Sequence, residues 1–156
     1  MTSARFTLRA AVYLILLKDS KVLLSRRYNT GWMDGKYSLI AGHFDGNESV
    51  SNSMIREAWE EAGIKVDKTT LKPATVLHRY STDQEYMDFF FVATNWKGEP
   101  EIKETDKCDE MTWFDLNDLP ENILPHIVEA IKNYQNNVPF SESGWVNGKL
   151  KANKFQ

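Results

Sequence analysis

Residues 42–64 read GHFDGNESVSNSMIREAWEEAGI, and their spacing governs how the rest of the chain is read. Gly42, Glu48, Arg56, Glu57, Glu60, Glu61 and Gly63 follow the pattern G-x5-E-x7-R-E-U-x-E-E-x-G-U, with Ala58 and Ile64 at the apolar positions U. Seven positions demand one residue type. Each type has a background frequency of roughly 5–7%, so chance matches fall far below about one sequence in a million. Val50, Met54, Ala58 and Ala62 recur every four residues, and Ile55 widens the apolar stripe. That period predicts a helix from about Ser49 to Ala62. Glu48 and Ser49 suit its first turn, where a carboxylate or hydroxyl meets orphan N–H groups. Gly63 suits the C-terminal cap, where the chain turns left-handed. Glu57, Glu60 and Glu61 then share an arc of roughly 100°. Like charges so close destabilise a bare helix, and a cation against them reverses that cost. Carboxylate oxygens without Cys or His favour Mg2+ or Mn2+ over Zn2+. A solvated acidic face is the usual meaning of a Glu-Glu pair. Here Gly42, Glu48, Arg56 and Gly63 stand in register with it and displace that reading.

This pattern resembles the Nudix box, the signature of Mg-dependent hydrolases that cleave nucleoside diphosphates linked to another moiety. The resemblance implies that Glu60 and Glu61 hold metal and that the Gly42 carbonyl faces it. It implies that Glu57 takes the proton from the attacking water, or binds a further metal. Arg56 and Glu48 look supportive, since an Arg–carboxylate pair fixes the loop beside the helix. The fold it implies is α/β, a Nudix-type α/β/α sandwich with a mixed β-sheet.

Outward from the box, the coarse reading agrees with that class. Leu8–Leu17 and Lys21–Arg26 read as a hairpin, and residues 28–36, with Gly31 and Gly35, as a loop. Tyr37–Phe44 reads as one strand delivering Gly42 to the helix. Short strands are expected at Ile64–Val66, Thr75–Tyr80, Glu85–Trp96 and Met111–Phe114. A turn or short helix is expected at Leu116–Leu119. Ile127, Ile131 and Tyr134 space a helix over Pro125–Asn136. Beyond Val138 the pattern is lost, and the tail either packs back or frays. One domain over 1–156 is expected, with its core at about 8–136 and a tail at 137–156.

Charged residues make up 26% of the chain and the net charge is -3, which lacks the basic surplus of a nucleic-acid partner. An acidic balance does not oppose phosphate substrates when metal carries the positive charge. A single cysteine, Cys108, excludes an internal disulfide and fits a reducing compartment. No apolar run approaches the ~20 residues of a membrane span, and Ala10–Leu17 lacks the flanks of a signal peptide. The cytoplasm is the expected location.

Outside the box, the segment Cys108–Pro120, CDEMTWFDLNDLP, is similar to that of MutT-like triphosphatases within the family. By that likeness Glu110 is an extra metal ligand, with Asp106, Asp109 and Glu104 as fallbacks. Trp113 and Phe114 read as core. Base recognition is assigned to Ser38, on the strand entering the box, and to His126, at the start of the last helix. Trp32 and Tyr37 are candidate stacking partners, each worth about 1–3 kcal/mol if a base lies on them. His43 is a candidate phosphate contact. Arg26, beside Arg27, ends a strand pointed at the box and is another. His78 and Arg79, on a strand, read as structural.

The function implied is Mg2+-dependent hydrolysis of a nucleoside triphosphate, or another nucleoside diphosphate-linked substrate, to a nucleoside monophosphate and pyrophosphate. A dinucleoside polyphosphate or ADP-ribose pyrophosphatase is the first alternative. Tyr80 loosely fits the former, and the absence of a Pro about 15 residues past the box weighs against the latter. A non-catalytic nucleotide sensor is the second, opposed by the intact glutamates. The partner is a small nucleotide; homodimers are common in the family.

Overall fold

The computed structural model describes residues 3–146 and 149–150. Its hub is β1 (Arg9–Lys18), buried almost throughout because it lies in mid-sheet with a helix over each face. β2 (Lys21–Arg27) returns antiparallel to it, and β6 (Gln84–Ala93) runs parallel beside it. β3 (Tyr37–Ser38) and β7 (Cys108–Asp115) pair with β2, and β4 (Ile40–His43) pairs with β1. β5 (Lys72–Ser81) is antiparallel to β6, and β8 (Phe140–Ser143) lies parallel to β5 at the outer edge. A small separate ribbon joins β9 (Trp145–Val146) to β10 (Lys149–Leu150).

Alternation along β1 sorts the core into two halves. Val12, Leu14 and Leu16 face α1 (Val50–Ala62), where they meet Met54, Ala58 and Ala62. Tyr13, Ile15 and Leu17 face α2 (Pro125–Gln135), where they meet Ile127 and Ile131. The result is the α/β/α sandwich with a mixed sheet that the sequence predicts.

α1 begins and ends where its sequence dictates. The Ser49 hydroxyl accepts from the Asn52 N–H at 3.3 Å, and Gly63 closes the helix at φ 66°. Elsewhere the chain departs from expectation. The single strand expected over Tyr37–Phe44 is two, split at Leu39, because β3 stays on β2 while β4 crosses to β1. The strand expected at Ile64–Val66 is one bridge, Lys65 to Lys97. Part of the tail does pack back, as β8, while residues 151–156 lie outside the described region. Asn133 of α2 anchors β8 by donating to Ser141 Oγ at 2.9 Å, and Ser141 donates to Glu129 at 2.7 Å.

Candidate active site

α1 packs against β4, and the carboxylates of Glu57 and Glu61 come to rest over the strand. Glu57 is buried with its carboxylate lodged against Gly42, so closely that any Cβ at Gly42 would collide with it. Glycine here serves close approach, not a special backbone angle. Glu61, one turn on, accepts from the Ala41 N–H at 3.0 Å. Burial pushes its carboxyl up to about 8, with Glu57 and Glu104 adding to the rise. Burial raises Glu57 as well, against the pull of Arg56. Glu60 is exposed and meets the cluster only through Arg56.

Arg56 is the organising cation. Its Nη2 donates to Glu48 Oε1 at 2.8 Å and to the His43 carbonyl at 3.0 Å. Its Nη1 donates to Glu57 at 2.8 Å and Glu60 at 3.0 Å. Arg56 and the Asp45 N–H together hold the Glu48 carboxyl down at about 2. The loop 43–48 is thereby fastened to the helix.

Among the described residues no three carboxylates are gathered round one point, since the Arg56 fork lies between Glu57 and Glu60. The donor chemistry still fits a hard divalent cation. It offers carboxylate oxygens only, and two of the three carboxyls are raised by burial that an added positive charge would relieve. Glu57, Glu60 and Glu61, with the Gly42 carbonyl, would hold such an ion.

These groups line one side of a cavity of about 800 Å³. A smaller recess of about 220 Å³ opens behind Glu61 and carries Ser38, Lys107 and Cys108. Ser38 is buried and borders both spaces. His43 lines the large cavity, its Nδ1–H donating to the Ala10 carbonyl at 3.3 Å. His126 is buried in the cavity wall, edge-on to Tyr13 at 5.7 Å. Trp32 also lines it.

Three expected residues lie elsewhere or are otherwise engaged. Glu110 accepts from the Tyr37 hydroxyl at 2.6 Å and pairs with Arg26 at 2.9 Å. The acidic residue of that region facing the α1 carboxylates is Glu104, whose charge raises both Glu57 and Glu61. Tyr37 is buried against Phe114 rather than open for stacking. Arg26 borders the small recess, but Asp109 and Glu110 hold its guanidinium. A bulge between Arg26 and Arg27 re-aims the strand, and Arg27 lines the cavity instead. Arg27 donates to the Trp32 carbonyl and to Thr30, and its guanidinium lies 4.9 Å from the Trp32 ring centre.

Arg79, which the sequence reads as structural, pairs with the fully buried Asp88 at 2.5 Å and also lines the cavity. Strand alternation was the available signal: Leu77–Arg79 and Asp88–Phe90 set charged residues at inward positions.

With this geometry in hand, comparison with known proteins gives one answer. The NUDIX domain profile matches residues 7–134. An oxidized purine nucleoside triphosphate hydrolase of Danio rerio is 30% identical over 118 residues, 74% of this chain and 71% of that one. An ADP-ribose pyrophosphatase of Methanocaldococcus jannaschii is 30% identical over 125 residues, 77% and 69% of the two chains. The crystal structure of a MutT NUDIX hydrolase from Burkholderia pseudomallei superposes with a TM-score of 0.76 at 24% identity. It spans 81% of this chain and 98% of that one, and shows the shared fold.

Proposed function

Since the chain belongs to the Nudix hydrolase family, we propose that it hydrolyses a nucleoside triphosphate to a nucleoside monophosphate and pyrophosphate with Mg2+ as cofactor. The observation that carries this reading is the Glu57 carboxylate lodged against Gly42, with Glu60 and Glu61 beside it, at the mouth of a nucleotide-sized cavity. Glu57 acts as general base toward the attacking water. Burial raises its carboxyl, the direction a base needs to work near neutral pH. Arg56 holds Glu57 and Glu48 in place, so the base and the loop carrying His43 keep one geometry. Glu60, Glu61 and the Gly42 carbonyl are the remaining ligand candidates, with Glu104 added and Glu110 set aside. Bound Mg2+ supplies charge neutralisation for the phosphates and lowers the pKa of the attacking water. Arg27, anchored by neutral acceptors, is the phosphate-facing cation in preference to Arg26. Ser38, His43 and His126 stay as substrate contacts.

The named substrate of the zebrafish relative favours a triphosphate. That of the archaeal relative keeps ADP-ribose as the second reading. The test is Glu57→Gln, which keeps shape but removes the base. Turnover should fall by about 10² to 10⁴ with nucleotide still bound. Near-normal turnover in this variant would remove Glu57 from the role.

A further inference from the structure

The β5–β6 hairpin outruns its neighbours. The ladder between β1 and β6 starts at Arg9 and Tyr86, and β8 leaves β5 at Arg79, opposite Ser143. Among the described residues, 80–85 therefore pair only with each other, Tyr80 with Glu85 and Ser81 with Gln84. Such a two-stranded tip is marginal by itself. Its turn adds strain, because Thr82 stands at φ 49° and Asp83 at φ 60°. A β-branched residue resists that region, where a tight hairpin normally places Asn or Gly. Yet the tip has a position to keep: Thr82 and Gln84 line the cavity, next to Arg79 and Tyr86 at its base. A costly backbone state persists where the surroundings over-determine it.

Here those surroundings lie behind the hairpin. Strand alternation points Arg79 into the cavity and His78 and Tyr80 away from it. Trp145, the first residue of β9, lies across that rear face. Its ring centre is 4.8 Å from that of His78 and 5.9 Å from that of Tyr80, and its Nε1–H donates to the His78 carbonyl at 3.2 Å. His78 Nε2 in turn lies 3.2 Å from Glu85 Oε2 on the other strand, and the Tyr80 hydroxyl donates to Asp83 at 3.1 Å. One indole thus bears on both strands and, through Tyr80, on the turn. Gly144 lets it do so. The chain turns there at φ 85°, directly against the Tyr80 carbonyl, and an added Cβ would run into that oxygen. β8 and β9 both follow residue 134, where the match to the family profile ends, so this brace lies outside the matched stretch.

We propose that Trp145, seated by Gly144, is a positioning residue: it braces the hairpin tip from behind and so sets how tightly the cavity holds a nucleotide. It takes no part in the chemistry at Glu57, since three strand spacings, or roughly 14 Å, separate Gly42 from Arg79. The proposal rests on the nucleotide reading of the cavity and deepens it.

The test pairs backbone amide exchange with calorimetric binding on the full chain, so no turnover is required. In Trp145→Ala, exchange across residues 80–85 should quicken by about tenfold or more, while α1 and β1 keep the parent rates. Less of the protein then holds the binding-competent wall, so AMP, GMP or UMP should bind about fivefold or more weakly. Affinity for Mn2+ alone, read at the distant carboxylates, should stay within about twofold. Trp145→Phe keeps a ring against His78 and Tyr80 and loses only the N–H, and should recover most of both effects. Gly144→Ala keeps the tryptophan but lifts it from its seat, and should reproduce Trp145→Ala. Parent-like exchange at 80–85 in both alanine variants would overturn the proposal. So would a loosened tip with unchanged nucleotide affinity, or equal loosening throughout the sheet, which marks a merely structural tail. If the parent protein binds none of the three nucleotides, the nucleotide reading of the cavity falls, and exchange at the tip alone decides the brace.

Discussion

Gly42 is the position where the fewest atoms matter most. A methyl group there meets the Glu57 carboxylate before anything else, so Gly42→Ala must move the proposed base. Misplacement of about 1 Å costs on the order of 10² in rate. The backbone needs no glycine-only angle here, so the thermal midpoint should hold while kcat falls. A variant with normal kcat would place the working position of Glu57 elsewhere. Glu61 gives a second residue-scale prediction, from its protonation. Its carboxyl stands at about 8 without metal, against an ordinary value of about 4.3. A raised acid favours the fold while protonated. Its contribution is therefore complete below about 4.3 and is lost as pH climbs through about 8. At pH 7 the metal-free protein carries this proton, and binding Mg2+ must release it. Calorimetric titrations in buffers of different ionisation enthalpy should report close to one proton released. Glu61→Gln should release clearly fewer protons than the parent protein, and proton-neutral binding by the parent protein would contradict the ligand assignment.

At the scale of elements, what was legible depended on whether a signal was local. α1 could be read in full because its stripe, its Ser49 cap and its Gly63 terminus all lie within the helix. α2 announced itself through Pro125 and the spacing of its isoleucines. The split of the 37–44 segment could not be seen, because it reflects an exchange of partners between β2 and β1 that no local pattern records. β8 was hidden for a related reason: it is a mostly polar edge strand, created by parallel pairing with β5. Glu110 sits within β7, where Arg26 and Tyr37 across the sheet engage it, while Glu104 lies in the loop before that strand, a distinction no local pattern records. The Arg79–Asp88 pair links β5 and β6 diagonally across their ladder. Arg79→Ala would leave Asp88 buried and unpaired, and should cost about 3–5 kcal/mol in urea unfolding. The paired replacement by Met and Leu should cost far less. Equal losses in the two would mean that the charges themselves hold these strands together.

The whole molecule divides its labour between two sides of one cavity. α1 and β4 bring carboxylates and a tight glycine contact to one side of the cavity, while β5, β6 and α2 bring aromatics, cations and a buried histidine to the other. The chemistry of the first side was written in one contiguous motif. The second side is assembled from the β5–β6 hairpin and from α2, which lie far apart in sequence, so its residues have little to announce them singly. No helix among the described residues is long and apolar enough to cross a membrane. We propose that the acidic side hydrolyses a triphosphate with Glu57 as its base. The most direct measurement is product-resolved hydrolysis in Mg2+ of canonical and oxidised nucleoside triphosphates, ADP-ribose and diadenosine tetraphosphate, with Glu57→Gln alongside. A triphosphate should yield a nucleoside monophosphate and pyrophosphate, and the variant should lose that activity. Release of a nucleoside diphosphate and inorganic phosphate, or faster cleavage of ADP-ribose or the dinucleotide, would contradict it.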